Sequence, residues 1–182
     1  MADVLDVVTN LKQGPATVYI TPYDSGGSLA ADDIVIGLAL NGVDCTLTET
    51  FRKRTADSIL FPIKYVLESV AFVATAVCQD MSPSFINQFL GGELVTAVGD
   101  ATKTRINVET TTPFRLEYGA NVKIVDNVDT DDVIEIVKAE VYVESLDLSK
   151  STKKNMTFTV KMEAVHPNSG TTVVKIGSTS AA

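Results

Sequence analysis

Strict alternation of apolar and polar residues near the C-terminus is the feature that most restricts how this chain can fold. Apolar residues occupy every second position of "VKAEVYVES" (137–145) and of "MTFTVKMEA" (156–164). A period of two is the repeat of a β-strand with one buried face. The polar and basic stretch between the two segments predicts a hairpin connection, so the C-terminal third is predicted to be paired strands.

The same reading extends over most of the chain. Asn41 and Gly42 form a hairpin-turn dipeptide. The run "ESVAFVATAVCQ" (68–79) has apolar residues on both faces, so we expect that strand to be covered on both sides. Further strands are predicted at "GPATVYITP" (14–22), "DDIVIGLAL" (32–40), "VDCTLTETF" (43–51), "TRINVET" (104–110), "TPFRLEYG" (112–119) and "TTVVKIG" (171–177).

One segment interrupts the β pattern. "DMSPSFINQFLGG" (80–92) predicts a short helix over about residues 82–90, because Asp80 or Ser82 can cap its start and two glycines can end it. A helix this short needs packing to be stable. Its packing stripe is predicted to be Phe85, Ile86, Phe89 and Leu90. Strands, one helix and strands again, without βαβ alternation, predict a mainly β fold, a β-sandwich or partly closed β-barrel.

Length and composition predict a single domain over residues 1–182, with an N-terminal arm of about 1–14 and a flexible C-terminal end of about 178–182. There is no apolar run of the length that a membrane span requires, so we expect no membrane association. The start of the sequence lacks the basic region of a secretory signal, which favours folding in a cytoplasm. The net charge of -8 disfavours a sequence-specific DNA or RNA binder.

Candidate chemistry is sparse. His166, the only histidine, has no matching nucleophile or carboxylate pattern and is interpreted as a turn residue. Cys45 and Cys78 lie in apolar runs and are interpreted as buried hydrophobes. The acidic stretch "VDNVDTDD" (125–132) lacks the glycine of a calcium loop, and no glycine pattern predicts a phosphate cradle. We therefore expect no enzyme activity, no cofactor and no metal.

"FRKR" (51–54) is the one dense basic cluster in an acidic protein. Either it opens a loop that docks on acidic surface of a neighbouring subunit, or it is an exposed loop with solvated charge. The apolar run that follows favours docking. The predicted contact residues in the loop 52–62 are Arg52, Lys53, Arg54, Ile59, Leu60 and Phe61.

The order of elements resembles the tail tube proteins of long-tailed bacteriophages, which share their fold with type VI secretion tube proteins. The resemblance lies in "VDCTLTETFRKRTADSILFPIKYVLESVAFVATAVCQDMSPSFINQFLGG" (43–92), where a strand, a long loop, a second strand and a helix ending in "LGG" follow one another. It continues in "IVKAEVYVES" (136–145) and "NMTFTVKMEAVHPNSGTTVVKIG" (155–177). The resemblance covers nearly the whole chain. It lies in the order of the elements and in their apolar and polar patterning, and it includes no invariant motif.

This resemblance implies a structural virion protein, assembled in the bacterial host cytoplasm, whose partner is itself. Subunits would join edge to edge into rings, commonly hexamers, and the rings would stack into a hollow tail tube. Double-stranded DNA would pass through the lumen on ejection without specific binding, kept off the wall by negative charge. The segment through Leu11 and the loop 52–62 would make the stacking contacts, and the helix would pack on the side of the sheet away from the lumen. Further partners would be the tape measure, terminator and baseplate proteins, and a sheath if the tail contracts.

Three alternatives remain open at this point. One is a tail terminator or head-tail connector of the same fold, present as a single ring. Another is the tube subunit of a related contractile secretion machine. The third is a β-sandwich binding module, which 7% aromatic residues and the absence of Trp disfavour.

Overall fold

The computed structural model describes residues 4–13, 15–39, 42–54, 64–78, 82–90, 92–108, 116–147, 157–167 and 170–178. Within these ranges it contains eleven strands and one helix. In chain order they are β1 (Val4–Gln13), β2 (Ala16–Pro22), β3 (Ile34–Leu38), β4 (Val43–Arg54), β5 (Lys64–Cys78), α1 (Pro83–Ile86), β6 (Gly92–Ala97), β7 (Asp100–Val108), β8 (Ala120–Asp126), β9 (Asp132–Asp147), β10 (Thr157–Ala164) and β11 (Val174–Ser178).

Nine strands form one large antiparallel sheet. Eight of them follow the order β1-β4-β5-β10-β9-β8-β2-β3, and β11 joins the sheet by pairing with β9. Strands β6 and β7 form a separate two-stranded hairpin. The prediction of a mainly β fold with one short helix is confirmed. The large sheet is not closed into a barrel, because β1 and β3 stand at its two ends.

The long strand β9 organises the second half of the chain. Its first part, through Ala139, pairs with β8, and its second part, from Ala139 onward, pairs with β10. Strand β11 pairs with residues 132–136, and 133–136 also pair with β8, so β11 lies on the side of β9 that β10 occupies further along. The predicted strands 137–145 and 156–164 are thus confirmed within the described residues, and the predicted strand 171–177 is confirmed from Val174 onward.

The core lies against one face of the large sheet, and period-two alternation positions its side chains. In β5, Phe72, Ala74, Ala76 and Cys78 are buried, whereas the residues between them are half-buried. The expectation that this strand is covered on both faces is therefore met on one face only within the described chain. The largest fully buried side chains are Phe72, Phe89, Phe158, Ile20, Ile124, Ile134, Ile136, Met162, Val18, Val43, Val122 and Val141.

The helix α1 is a single turn, shorter than the predicted span of 82–90. Ser82 is its N-cap: the Ser82 backbone carbonyl accepts the N–H groups of Phe85 and Ile86, and its Oγ lies 3.4 Å from the Phe85 nitrogen. Turns continue to Leu90, whose N–H bonds the Ile86 carbonyl at 3.0 Å. Ile86 and Phe89 belong to the buried core, and Phe85 and Leu90 pack against it. The helix therefore covers the core face of the sheet.

Glu135 fastens β11 to β9, and its ionisation makes that contact dependent on pH. Its carboxylate accepts bonds from Lys175 Nζ at 3.0 Å and Asn121 Nδ2 at 3.1 Å. Burial alone would raise the pKa of Glu135, and this is the largest single effect, but the bonds from Lys175 and Asn121 and the nearby positive charges together hold the pKa below its ordinary value of 4.5. The carboxylate therefore stabilises the fold above about pH 4.5, and this contribution is lost as pH falls through the folded-state pKa.

We expect Glu135→Gln to lower the free energy of unfolding by about 1 kcal/mol at pH 7. At pH 3 the difference from the wild type should shrink, because the wild-type carboxyl is then becoming protonated. Urea unfolding at both pH values measures this, with the exposed Glu93→Gln as the matched control. If the difference in unfolding free energy between Glu135→Gln and the wild type is larger at pH 3 than at pH 7, the stabilising role given to the Glu135 carboxylate is contradicted.

Candidate assembly surface

The hairpin of β4 and β5 extends past the core as an open arm, defined here as residues 51–54 and 64–70. Phe51 pairs with Leu67 and Lys53 with Tyr65, so the ladder continues to the end of β4. Within β5, residues 64–71 are exposed apart from the half-buried Val66, whereas the residues beyond Ala71 are buried or half-buried. The arm is therefore β-structure whose β5 strand is largely open to solvent on both faces.

A β-bulge brings the apolar side chains of the arm to one face. Thr50 pairs with Ser69 but Phe51 pairs with Leu67, so one extra residue, Glu68, lies on the β5 side. Opposite residues of an antiparallel pair share a face, and the shift places Leu67 beside Phe51. Without it, Leu67 would point away from Val70. The resulting face, called the apolar face, carries Phe51, Tyr65, Leu67 and Val70, with Lys53 beside Tyr65.

This face is unusually apolar for exposed surface. Tyr65, Leu67 and Val70 are exposed by 49%, 48% and 52%. They continue the face on which Phe72 is buried in the core. A contiguous exposed apolar patch marks an interaction surface more often than isolated apolar residues do. The apolar face of the arm is therefore the strongest candidate contact surface in the described chain.

The arm is also basic in a protein that is otherwise acidic. It carries four basic residues, Arg52, Lys53, Arg54 and Lys64, and one acidic residue, Glu68. The rest of the chain has 11 basic and 22 acidic residues. Arg52 forms an ion pair with Glu68, the bulge residue. The arm is thus electrostatically complementary to most of the remaining surface of the protein.

The placement of Arg52, Lys53 and Arg54 in a loop is wrong. All three lie in β4, because that strand pairs with β5 through Arg54 and with β1 as far as Arg52. Ile59, Leu60 and Phe61 lie outside the described residues. The N-terminal segment through Leu11 belongs largely to β1, the end strand of the sheet, which pairs with β4.

Sequence reasoning missed Tyr65, Leu67 and Val70 as surface residues. The interpretation of 52–62 as a loop drew attention to its apolar residues instead of the strand that follows. A signal was present: "KYVLESV" (64–70) mixes apolar and charged residues, which is typical of a solvated strand, whereas "AFVATAVC" (71–78) has no charge. The bulge that gathers the apolar side chains has no local sequence signature here.

The sheet face opposite the core carries a linked polar cluster on β9 and β10. The Tyr142 hydroxyl donates to Glu163 Oε1 at 2.8 Å, and Lys161 Nζ lies 2.8 Å from the same oxygen. The bonds from Lys161 and then Tyr142 hold the pKa of Glu163 below its ordinary value. The bond to Glu163 raises the pKa of Tyr142 and of Lys161. Glu144 Oε1 lies 4.0 Å from Lys161 Nζ, so this face carries two carboxylates around one ammonium group, and the exposed Glu140 is opposite Glu163 in the β9–β10 register.

The residues considered for chemistry form no catalytic arrangement in the described chain. Cys45 and Cys78 are buried thiols, and burial, with a smaller effect of Asp44, raises the pKa of Cys45 to about 12. His166 is exposed, with Nδ1 2.9 Å from the Pro167 carbonyl oxygen. The carboxylate of Asp126 accepts the N–H groups of Val128 and Asp129. These contacts are those of a thiol in a core and of ordinary turns.

Two wider properties complete the description. Among the residues that the structure describes, no group of His, Cys, Asp or Glu side chains could hold a metal ion. Over the same residues, no helix has the length and apolar character needed to cross a membrane. Comparison of the sequence with protein-family models and with curated proteins gives no match.

Proposed function

We propose that this chain is a structural subunit that assembles with copies of itself into stacked rings, forming a hollow tube of the kind found in bacteriophage tails. The observation that carries the proposal is the β4–β5 arm, with its exposed apolar face and its basic charge. A strand pair that leaves its own core and still presents Tyr65, Leu67 and Val70 to solvent is explained by a partner that covers it. A second copy supplies acidic surface to match its charge.

The open sheet supports association between copies. Its end strands, β1 and β3, each pair with a single described neighbour. Strand β5 pairs with β10 only from Val73 onward, so among the described residues no strand lies beside residues 64–72 on that side. Open strand edges favour pairing with other chains, and a closed ring of subunits removes them.

Passage of DNA is compatible with the sheet face opposite the core. That face carries Glu144 and Glu163 around Lys161, and its half-buried positions on β5 are Val73, Thr75 and Val77. A wall with excess negative charge repels phosphate over about 10 Å at 0.1 M salt. We propose this face as the lumen wall, with the core and α1 on the far side of the sheet.

The test is negative-stain electron microscopy with light scattering over a concentration series. We expect the wild type to form hollow tubes or stacked rings. Leu67→Asp should weaken association by about tenfold or more, because it places a carboxylate in the middle of the apolar face of the arm. The matched control is Val98→Asp, which changes a fully exposed valine in the turn between β6 and β7 and should assemble like the wild type.

The outcomes separate the candidate functions. Single rings that do not stack at any concentration would favour the terminator or connector function. A monodisperse monomer at every concentration would overturn the proposal of self-assembly. If Leu67→Asp and Val98→Asp change association equally, the arm is not part of the contact between copies.

A further inference from the structure

A groove lies where β9 passes the turn that precedes β8. In the strand order of the large sheet, this place is separate from β4 and β5, which form the arm. The groove comprises two concavities of about 500 and 350 Å³ that share Glu117 and Glu140 in their walls. The smaller one is completed by Leu116, Val141 and Tyr142, and the larger one includes Asp24 and Tyr118. We call the combined depression the β9 groove.

The β9 groove exists because β8 ends while β9 continues. Strand β8 reaches its last pair with β9 at Ala120 and Ala139, and the chain before it turns away through residues 116–119. From Glu140 onward, β9 therefore has no strand beside it on that side among the described residues. This leaves the β9 groove along the edge of β9. The turn at residues 116–119 forms its other wall.

Apolar and acidic groups are both present in this groove. Leu116 and Val141 form its base but are exposed by only 5% and 2%, so the accessible ring surface comes from Tyr118, exposed by 48%, and the half-buried Tyr142. Glu117 and Glu140 are exposed in the wall that the two concavities share. Tyr142 is held by its 2.8 Å bond to Glu163, so its ring is fixed before anything binds. The walls also include Lys138, so the groove carries three carboxylates, those of Asp24, Glu117 and Glu140, and one basic residue beside the rings of Tyr118 and Tyr142.

We propose that the β9 groove of one subunit receives the β4–β5 arm of a second copy, an inference that rests on the proposed self-assembly. The arm presents a complementary pattern: Tyr65 and Leu67 lie on its apolar face with Lys53, and Lys64 lies on its other face, opposite Arg54 in the register. Glu117 and Glu140 are opposite in charge to these two lysines, and Tyr118 and Tyr142 provide ring surface for the apolar side chains. The occupant is the arm of another copy because, among the described residues, the arm combines four basic residues with an exposed apolar face.

Arm and groove are different surfaces of one chain, so the contact is heterologous. Each subunit then gives its arm to one neighbour and accepts the arm of another, which produces a closed ring or an open-ended stack. A heterologous contact of this kind does not produce a closed two-fold dimer. This polarity agrees with a tube that grows from one end.

Charge reversal tests the pairing. The arm variant is Lys53→Glu with Lys64→Glu, and the groove variant is Glu117→Lys with Glu140→Lys. We expect each to weaken assembly by about tenfold or more, measured by sedimentation velocity, because like charges then face each other. The chain carrying all four changes should recover to within about threefold of the wild type, because the complementarity is restored in reverse.

A mixture of the arm variant and the groove variant provides the second readout. Each of them keeps one intact surface, so an equimolar mixture should stop at a discrete dimer, whose mass sedimentation resolves. If the arm variant fails to assemble while the groove variant assembles normally, the arm docks elsewhere; the β9 groove is then excluded and self-assembly through the arm stands. If the four-change chain fails to recover, the pairing is overturned. A wild type that stays monomeric overturns both this inference and the proposed function.

Discussion

Replacing Phe89 with alanine should destabilise the protein by about 3–5 kcal/mol, the largest loss expected from any single change considered. Phe89 is fully buried, and its ring centroid lies 5.4 Å from that of Phe85 and 5.8 Å from that of Phe158. Truncation therefore removes aromatic contacts on two sides and leaves a cavity between α1 and the sheet. The single turn of α1 would be marginal without that packing, so the whole segment 82–90 loses its anchor.

The matched control is Phe85→Ala, which removes the same side chain from the same segment. Phe85 is only half-buried, so its cost should be about 1–2 kcal/mol. Denaturant unfolding of the two variants beside the wild type gives both values. Equal losses would mean that Phe89 does not anchor the helix more than Phe85 does, contrary to its position in the core.

Gly119→Ala should cost about 2–5 kcal/mol, and the reason is geometric. Gly119 has φ of +81°, a conformation that costs a residue with a Cβ about 1–2 kcal/mol. An added Cβ would also lie 2.9 Å from the carbonyl oxygen of Ala139, which is part of the β8–β9 ladder. Relief by movement is restricted, because the Gly119 N–H bonds the Leu116 carbonyl and its own carbonyl accepts the Tyr23 N–H. The close contact with the Ala139 carbonyl therefore adds a cost of overpacking to the conformational cost.

Gly99→Ala separates the two contributions. Gly99 has φ of +88° in the turn between β6 and β7, but an added Cβ there would meet nothing within 4 Å. It should cost only the conformational part, about 1–2 kcal/mol. Unfolding midpoints of the two alanine variants, measured in parallel, test the difference. If Gly99→Ala costs as much as Gly119→Ala, the contact with Ala139 contributes nothing.

Local patterns predicted the strands well where one face is buried along the whole segment. The alternation in β9 and β10 marks strands that the structure contains, and Ser82 with Pro83 marks the start of α1. The helix was predicted too long because Phe89 and Leu90 continue the apolar stripe. Phe89 and Leu90 lie in turns that follow the helix and still pack on the core. Their burial against the sheet therefore does not require the helix to continue.

Features that depend on a partner strand could not be read from the sequence. The extension of β4 through Arg54 depends on pairing with β5, and the position of the bulge at Glu68 depends on that register. Strand β6 was not predicted, since "GELVTA" is short and lies in a hairpin outside the large sheet. The candidate surface was therefore located only in part: the basic residues were identified, but the apolar side chains beside them needed the register.

The order of strands in the large sheet has a consequence for how the chain folds. Neighbours in sequence form the β4–β5, β8–β9 and β9–β10 pairs, and these can form early. The β2–β8 pair instead joins Ala16 with Asp126, and the β5–β10 pair joins Cys78 with Phe158. Such distant contacts require closure of long loops, which places folding of sheets like this in the millisecond to second range. During that interval unpaired hairpins of many newly made chains coexist, and mutual repulsion at a net charge of -8 opposes their premature aggregation.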